Sequence, residues 1–112
     1  MRRDEAYLLD IKLAAAEAIE FVGDLGVDAL LHDRMRMRAV INCLHEIGEA
    51  SRKLSPAFKE RHPLIQWSDL VTHRNELAHA YFRTDFGETW HIVKNVLPGL
   101  LEYIELLIPP EG

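Results

Sequence analysis

Arg74, Asn75, His79 and Tyr81 stand within eight residues of one another and could together act on a phosphate. A guanidinium is a permanent cation whose planar fork matches phosphate oxygens. An imidazole titrates near neutrality and can give or take a proton. A carboxamide can orient either group, and a phenol is both a polar handle and a site for modification. Asn75 and His79 are four residues apart, so on a helix they share a face one turn apart. Arg74 is rotated from His79 on the wheel, but its side chain is long enough to swing toward the same end. The same residues also admit a structural reading, since a lone Arg or His near a helix end commonly serves as a cap or a surface charge.

The element that must position them is an amphipathic helix over residues 67–82. Trp67, Leu70, Val71, Leu77, Ala78 and Tyr81 recur at spacings of three and four, the period of one buried helical face. Around it the chain reads as helices throughout. Asp4 is the expected N-cap of a first helix running to Val22, with Leu8, Ile11, Ala15, Ala18, Ile19 and Val22 as its buried stripe. Gly23 and Gly26 stop it. Asp28 is expected to cap a short turn over 29–31, and Asp33 to start a long helix to Leu54 carrying Met37, Val40, Ile41, Leu44, Ile47, Gly48 and Ser51 inward. Arg34 and Arg38 share a solvated face, and Arg36 points elsewhere. Ser55 and Pro56 open another turn, because Pro suits the first helical position, and Pro63 ends it. Asp85 and Glu88 have capping-box spacing before a last helix with Trp90, Val93, Leu97, Leu100, Ile104 and Leu107 inward. Pro98 in its interior should kink it. No segment alternates as a strand does. These patterns predict one all-α domain over 1–112, an antiparallel four-helix bundle with short extra turns.

The string Arg74-Asn75-x-x-x-His79-x-Tyr81 resembles the signature of the HEPN superfamily, and in this longer form that of the HepT-like toxins. The likeness continues through Ile47, Gly48, Glu49, Ala50, Trp67, Phe82, Asp85, Trp90, Ile92, Val93, Leu97, Pro98 and Leu100. Two positions depart from that pattern: His73 stands where Met is common, and His45 where an acidic residue is common. The resemblance implies a homodimeric HEPN bundle that can join a larger hetero-oligomer. It implies a toxin of a toxin–antitoxin system, a metal-independent endoribonuclease acting on RNA such as tRNA or mRNA, with Arg74, Asn75 and His79 catalytic. The implied partner is a minimal nucleotidyltransferase antitoxin that silences the toxin by adding AMP to Tyr81. The alternative is a HEPN bundle without catalysis, serving as a nucleotide- or partner-binding subunit of a nucleotidyltransferase complex.

Composition fits these expectations. The 112 residues are 48% hydrophobic and 28% charged, ordinary for a folded domain. No apolar run reaches membrane-spanning length, and the arginines at positions 2 and 3 are followed at once by acids rather than by an apolar leader. The single cysteine, Cys43, is expected to be a packed side chain in a cytoplasmic protein. No cofactor is expected, and no His or Cys spacing suggests a metal site. The net charge of −5 disfavours a general polyanion binder, but charge is unevenly spread. Residues 34–83 hold nine Lys/Arg and five acids, whereas the remainder holds four bases and thirteen acids. The basic part contains the polar string, as an RNA-facing surface would require.

Overall fold

The computed structural model describes residues 2–65 and 86–108. Among the described residues every regular element is helical: α1 (Arg2–Val22), α2 (Val27–Leu31), α3 (Arg34–Lys53), α4 (Pro56–Arg61), α5 (Phe86–His91), a π-helical segment (Ile92–Val96) and α6 (Leu97–Leu107). The all-α expectation holds for these elements. The expected helix over 67–82 and the capping residue Asp85 lie outside the described residues.

The core is built where the periodicity placed it. Leu8, Ile11, Ala15, Ala18 and Val22 of α1 are buried against Met37, Val40, Leu44, Ile47 and Leu54 of the α3 stretch, and α1 and α3 form the most extensively packed helix pair described. Ala14, Ala15 and Ala18 are fully buried, and such small side chains let two helix backbones approach closely. Val93, Leu97, Leu100 and Ile104 bring the last helix onto the same core, with Trp90 and Leu107 half-buried at its ends. Aliphatic side chains buried this way each contribute roughly 1.5–3 kcal/mol.

Polar ties at the helix ends set the directions. Arg36, at the start of α3, donates from Nη1 to the Phe21 carbonyl at 3.0 Å. That carbonyl lies in the last turn of α1, where backbone oxygens lack helical partners. At the other end, Ser55, just past α3, donates to Asp4 from its backbone N–H at 2.9 Å and from its hydroxyl at 2.7 Å. The pair therefore runs antiparallel. Asp4 is inside α1 and buried, so it is not the N-cap that its position suggested; its carboxylate is spent on Ser55 instead. Asp28 is also not a cap. Gly26 occupies the N-cap of α2 without a side-chain bond, and Asp28 accepts through its backbone carbonyl from the His32 backbone N–H at 3.2 Å.

Other start and stop signals act as read. The Asp33 carboxylate accepts from Arg36 N–H at 3.0 Å, and Ser55 Oγ accepts from Phe58 N–H at 3.2 Å with Pro56 at the first position of α4. Gly23 ends α1 with φ of +53°, the left-handed conformation that a Cβ makes costly. The kink expected at Pro98 takes the form of a wider turn. Leu97 N–H passes over the nearer carbonyl to bond Ile92 O, an i→i−5 step. A regular helix would press the Pro98 ring against the carbonyl four residues back, and the π turn widens the helix just ahead of that point.

Candidate functional site

Arg74, Asn75, His79 and Tyr81 lie outside the described residues, as does His73. What the structure describes is the frame on either side of residues 66–85. On the entry side, α4 places Phe58 in the core and leads into His62. The His62 ring lies 4.5 Å from the Phe58 ring, centroid to centroid. His62 Nδ1 is 2.8 Å from the Tyr103 hydroxyl of α6, and the two rings meet edge to face at 5.8 Å. Ile65 N–H then donates to the His62 carbonyl at 3.4 Å. The last described stretch before the polar string is thereby tied to the final helix.

On the exit side, α5 and the π segment are tied to the turn after α1. Trp90 donates from Nε1 to the Leu25 carbonyl at 2.9 Å. Lys94 donates from Nζ to the Gly23 carbonyl at 2.6 Å. Both oxygens belong to the turn that ends α1, where cations and donors are favoured by the helix dipole. Because Tyr103 is near the end of the 86–107 rod and Trp90 near its start, the two flanks of residues 66–85 sit at opposite ends of the bundle.

α3 supplies the surroundings. Arg34, Arg38 and His45 fall on one side of the helix at spacings of four and seven. Arg34 and Arg38 are exposed and His45 is half-buried. Arg36 is withdrawn to the α1 terminus and to Asp33, 3.3 Å from its Nε. The three arginines of this stretch therefore do not form one patch, as their spacing indicated. Among the described residues no group of three or more His, Cys, Asp or Glu could hold a metal ion, and no helix is long and apolar enough to cross a membrane. Cys43 is buried, and burial, followed by the charges of Glu17 and Glu46, pushes its thiol up to about 11. It stays a protonated packing group at neutral pH.

The His62–Tyr103 and Trp90–Leu25 ties were not read from the sequence. The first had a weak local signal, since Phe58 and His62 are four apart and stack across one turn. The second had none, because the partner is a backbone carbonyl 65 residues away.

The architecture defines a class first: a small helical bundle whose polar string falls between two tethered flanks of an otherwise aliphatic core. The comparisons narrow it. The family model described as Ribonuclease HepT-like matches residues 11–107, and the chain belongs to that family. A candidate RNase of Methanocaldococcus jannaschii is 37% identical over 107 residues, covering 95% of this chain and 98% of the relative. A protein named as a probable ribonuclease HepT in Thermococcus cleftensis is 37% identical over 106 residues, covering 95% and 96%. A candidate RNase of Caldanaerobacter subterraneus is 26% identical over 111 residues, covering 99% of each chain. No solved structure matches.

Proposed function

We propose that the chain is a metal-independent endoribonuclease, the toxin of a toxin–antitoxin pair, working as a homodimer. The observation that carries this reading is the intact string Arg74-Asn75-x-x-x-His79-x-Tyr81 in a chain of the HepT-like family. RNA carries its own nucleophile. The 2′-hydroxyl attacks the adjacent phosphorus, the bond to the 5′-oxygen breaks, and the products are a 2′,3′-cyclic phosphate and a 5′-hydroxyl. The step needs a base to take the 2′-hydroxyl proton, a cation for the charge growing on the phosphorane, and an acid to protonate the leaving oxygen. Arg74 is the cation. His79 is the acid or the base, with Asn75 orienting it or the phosphate. One subunit has one such histidine in the string, so two copies sharing a cleft would supply both roles. The basic side of α3, with Arg34 and Arg38 exposed, supports an RNA-facing surface.

The same reading includes control by a minimal nucleotidyltransferase antitoxin. The Tyr81 hydroxyl would attack the α-phosphate of ATP, releasing pyrophosphate and leaving AMP on the phenol. A phosphodiester two residues from His79 adds negative charge and bulk where RNA must bind. Tyr81→Phe should keep most nuclease activity and resist silencing, read as the absence of an AMP mass increment on the peptide containing Tyr81.

The decisive experiment is cleavage of end-labelled RNA by the purified chain in EDTA. His79→Ala and Arg74→Ala should each lower the rate by about two to four decades, typical of losing an acid/base or an electrostatic stabiliser, with cyclic phosphate ends on the products of the parent. If the parent cuts no RNA, or His79→Ala cuts as well as the parent, the chain is a non-catalytic nucleotide- or partner-binding subunit.

A further inference from the structure

The outer side of the α1–α3 pair carries a feature that RNA cleavage does not use. A groove of about 430 Å³ opens between the two helices, and Tyr7, Leu13 and Ala50 are the apolar residues that line it. Leu13 is 62% exposed and Leu9, one turn before it, 44%. With the exposed Ala6 and Ala16 they make a stripe at spacings of three and four along α1. That is the pattern of a helix face prepared for another helix. Among the described elements α3 and α6 pack on the opposite, buried face of α1.

The rim decides what can lie there. Asp10 and Glu17 stand on the α1 side and Glu46 and Glu49 on the α3 side, against a single cation, Lys53. Glu49 is paired with Arg52 at 3.2 Å. Among the described residues Glu46 accepts only a neutral amide, from Asn42 at 3.2 Å, which does not neutralise its charge. Glu17 and Glu46 come from different helices, and both line the groove. An acidic rim repels a phosphate backbone. It also disfavours a second copy of this chain, because a two-fold contact would set these carboxylates against themselves. Arg34 and Arg38 stand in the first turns of α3, whereas Glu46 and Glu49 stand at least about 12 Å further along its axis.

We propose that the α1–α3 groove is the docking site for a basic amphipathic helix of a partner protein. Its apolar stripe would cover Tyr7, Leu13 and Ala50, and its Lys or Arg residues would flank that stripe and meet Asp10, Glu17 and Glu46. This is helix-in-groove recognition, in which apolar anchors provide affinity and charges select the partner. The inference does not depend on whether the chain cleaves RNA.

The test uses the full-length chain and a fluorescent peptide about five turns long, with leucine on one helical stripe and lysine on its flanks. The peptide should bind saturably at one site and gain helicity. Glu17→Lys/Glu46→Lys should weaken binding at least about tenfold, and Leu13→Ser should weaken it comparably. Glu102→Lys/Glu105→Lys changes net charge equally at exposed α6 positions outside the groove and should change binding less than about twofold. Leu13→Ser alters an exposed side chain, so it keeps the test decisive if charge reversal disturbs folding; circular dichroism melts check each variant. Absence of binding, or equal weakening by the α6 control, overturns the proposal. So does a parent dimer that Leu13→Ser dissociates, which assigns the face to a second copy. RNA binding abolished by Leu13→Ser would likewise overturn it by assigning the face to nucleic acid.

Discussion

The α1–α3 pair and the frame around residues 66–85 are held in different ways. The pair is joined by a continuous seam of aliphatic and small side chains, with polar bonds only at its ends. The frame is held by individual polar contacts: His62 to Tyr103, Trp90 to Leu25, Lys94 to Gly23. A seam spreads its stabilisation over many contacts and tolerates the loss of any polar one. A tether concentrates it in a bond worth roughly 0.5–1.5 kcal/mol. The difference teaches that this fold separates the residues that make it stable from those that tether the described flanks of residues 66–85.

The largest effect expected is in the seam. Ile47→Ala removes a buried side chain that is only 1% exposed and should cost about 2–5 kcal/mol in denaturant unfolding. Asp4→Ala comes next. It strands the partly buried Ser55 hydroxyl and amide, and should cost about 1–3 kcal/mol.

The Asp4 contact also has a pH signature. Burial tends to raise the Asp4 pKa, but the two hydrogen bonds from Ser55, together with nearby positive charge such as that of Arg61, outweigh it and the net shift is downward. A carboxylate depressed in the folded state contributes stability that is full above its unfolded value, about 3.9, and is lost as pH falls through its folded value. Asp4→Asn should therefore flatten the acid limb of the stability curve below about pH 4. An unchanged acid limb would remove Asp4 from that role.

Tyr103→Phe should have the smallest global cost, about 0.5–1.5 kcal/mol. Its effect should be local, seen as faster amide exchange at residues 62–65 with little change in α1 and α3. If it destabilised the whole chain as much as Ile47→Ala, the distinction between seam and tether would fail. Cys43 offers a reporter for the seam. A buried thiol held near 11 should react with a disulfide reagent at neutral pH only as fast as the α1–α3 pair opens. Fast labelling in the native state would show that the pair breathes independently of global unfolding.

Several local features were legible because local chemistry decides them. Asp33 and Ser55 cap as their types and positions suggest, Gly23 adopts the left-handed conformation, and the stripes of α1, α3 and α6 name the core almost residue by residue. The polar string was legible as chemistry, because Arg, Asn, His and Tyr at those spacings are few-purpose groups; its geometry lies outside the described residues. Asp4 was misread because an N-terminal Asp before an apolar run has the same local pattern whether it caps its own helix or reaches another element. The choice depends on Ser55, which is 51 residues away. The Pro98 kink was legible as a disturbance but not as a π turn, since the cheaper relief depends on what the widened turn packs against.

By itself, then, the sequence determined the helical class, most of the buried faces and the identity of the reactive groups, all set by period, propensity and functional chemistry within a few residues. Only the tertiary structure decided that α1 and α3 run antiparallel through Asp4–Ser55 and Arg36–Phe21, and that carboxylates from both line one groove with Leu13. It alone tied the flanks of the polar string to Tyr103 and to the turn after α1. Each of these joins groups far apart in the chain, and sequence spacing carries no record of which distant carbonyl or carboxylate a side chain will meet.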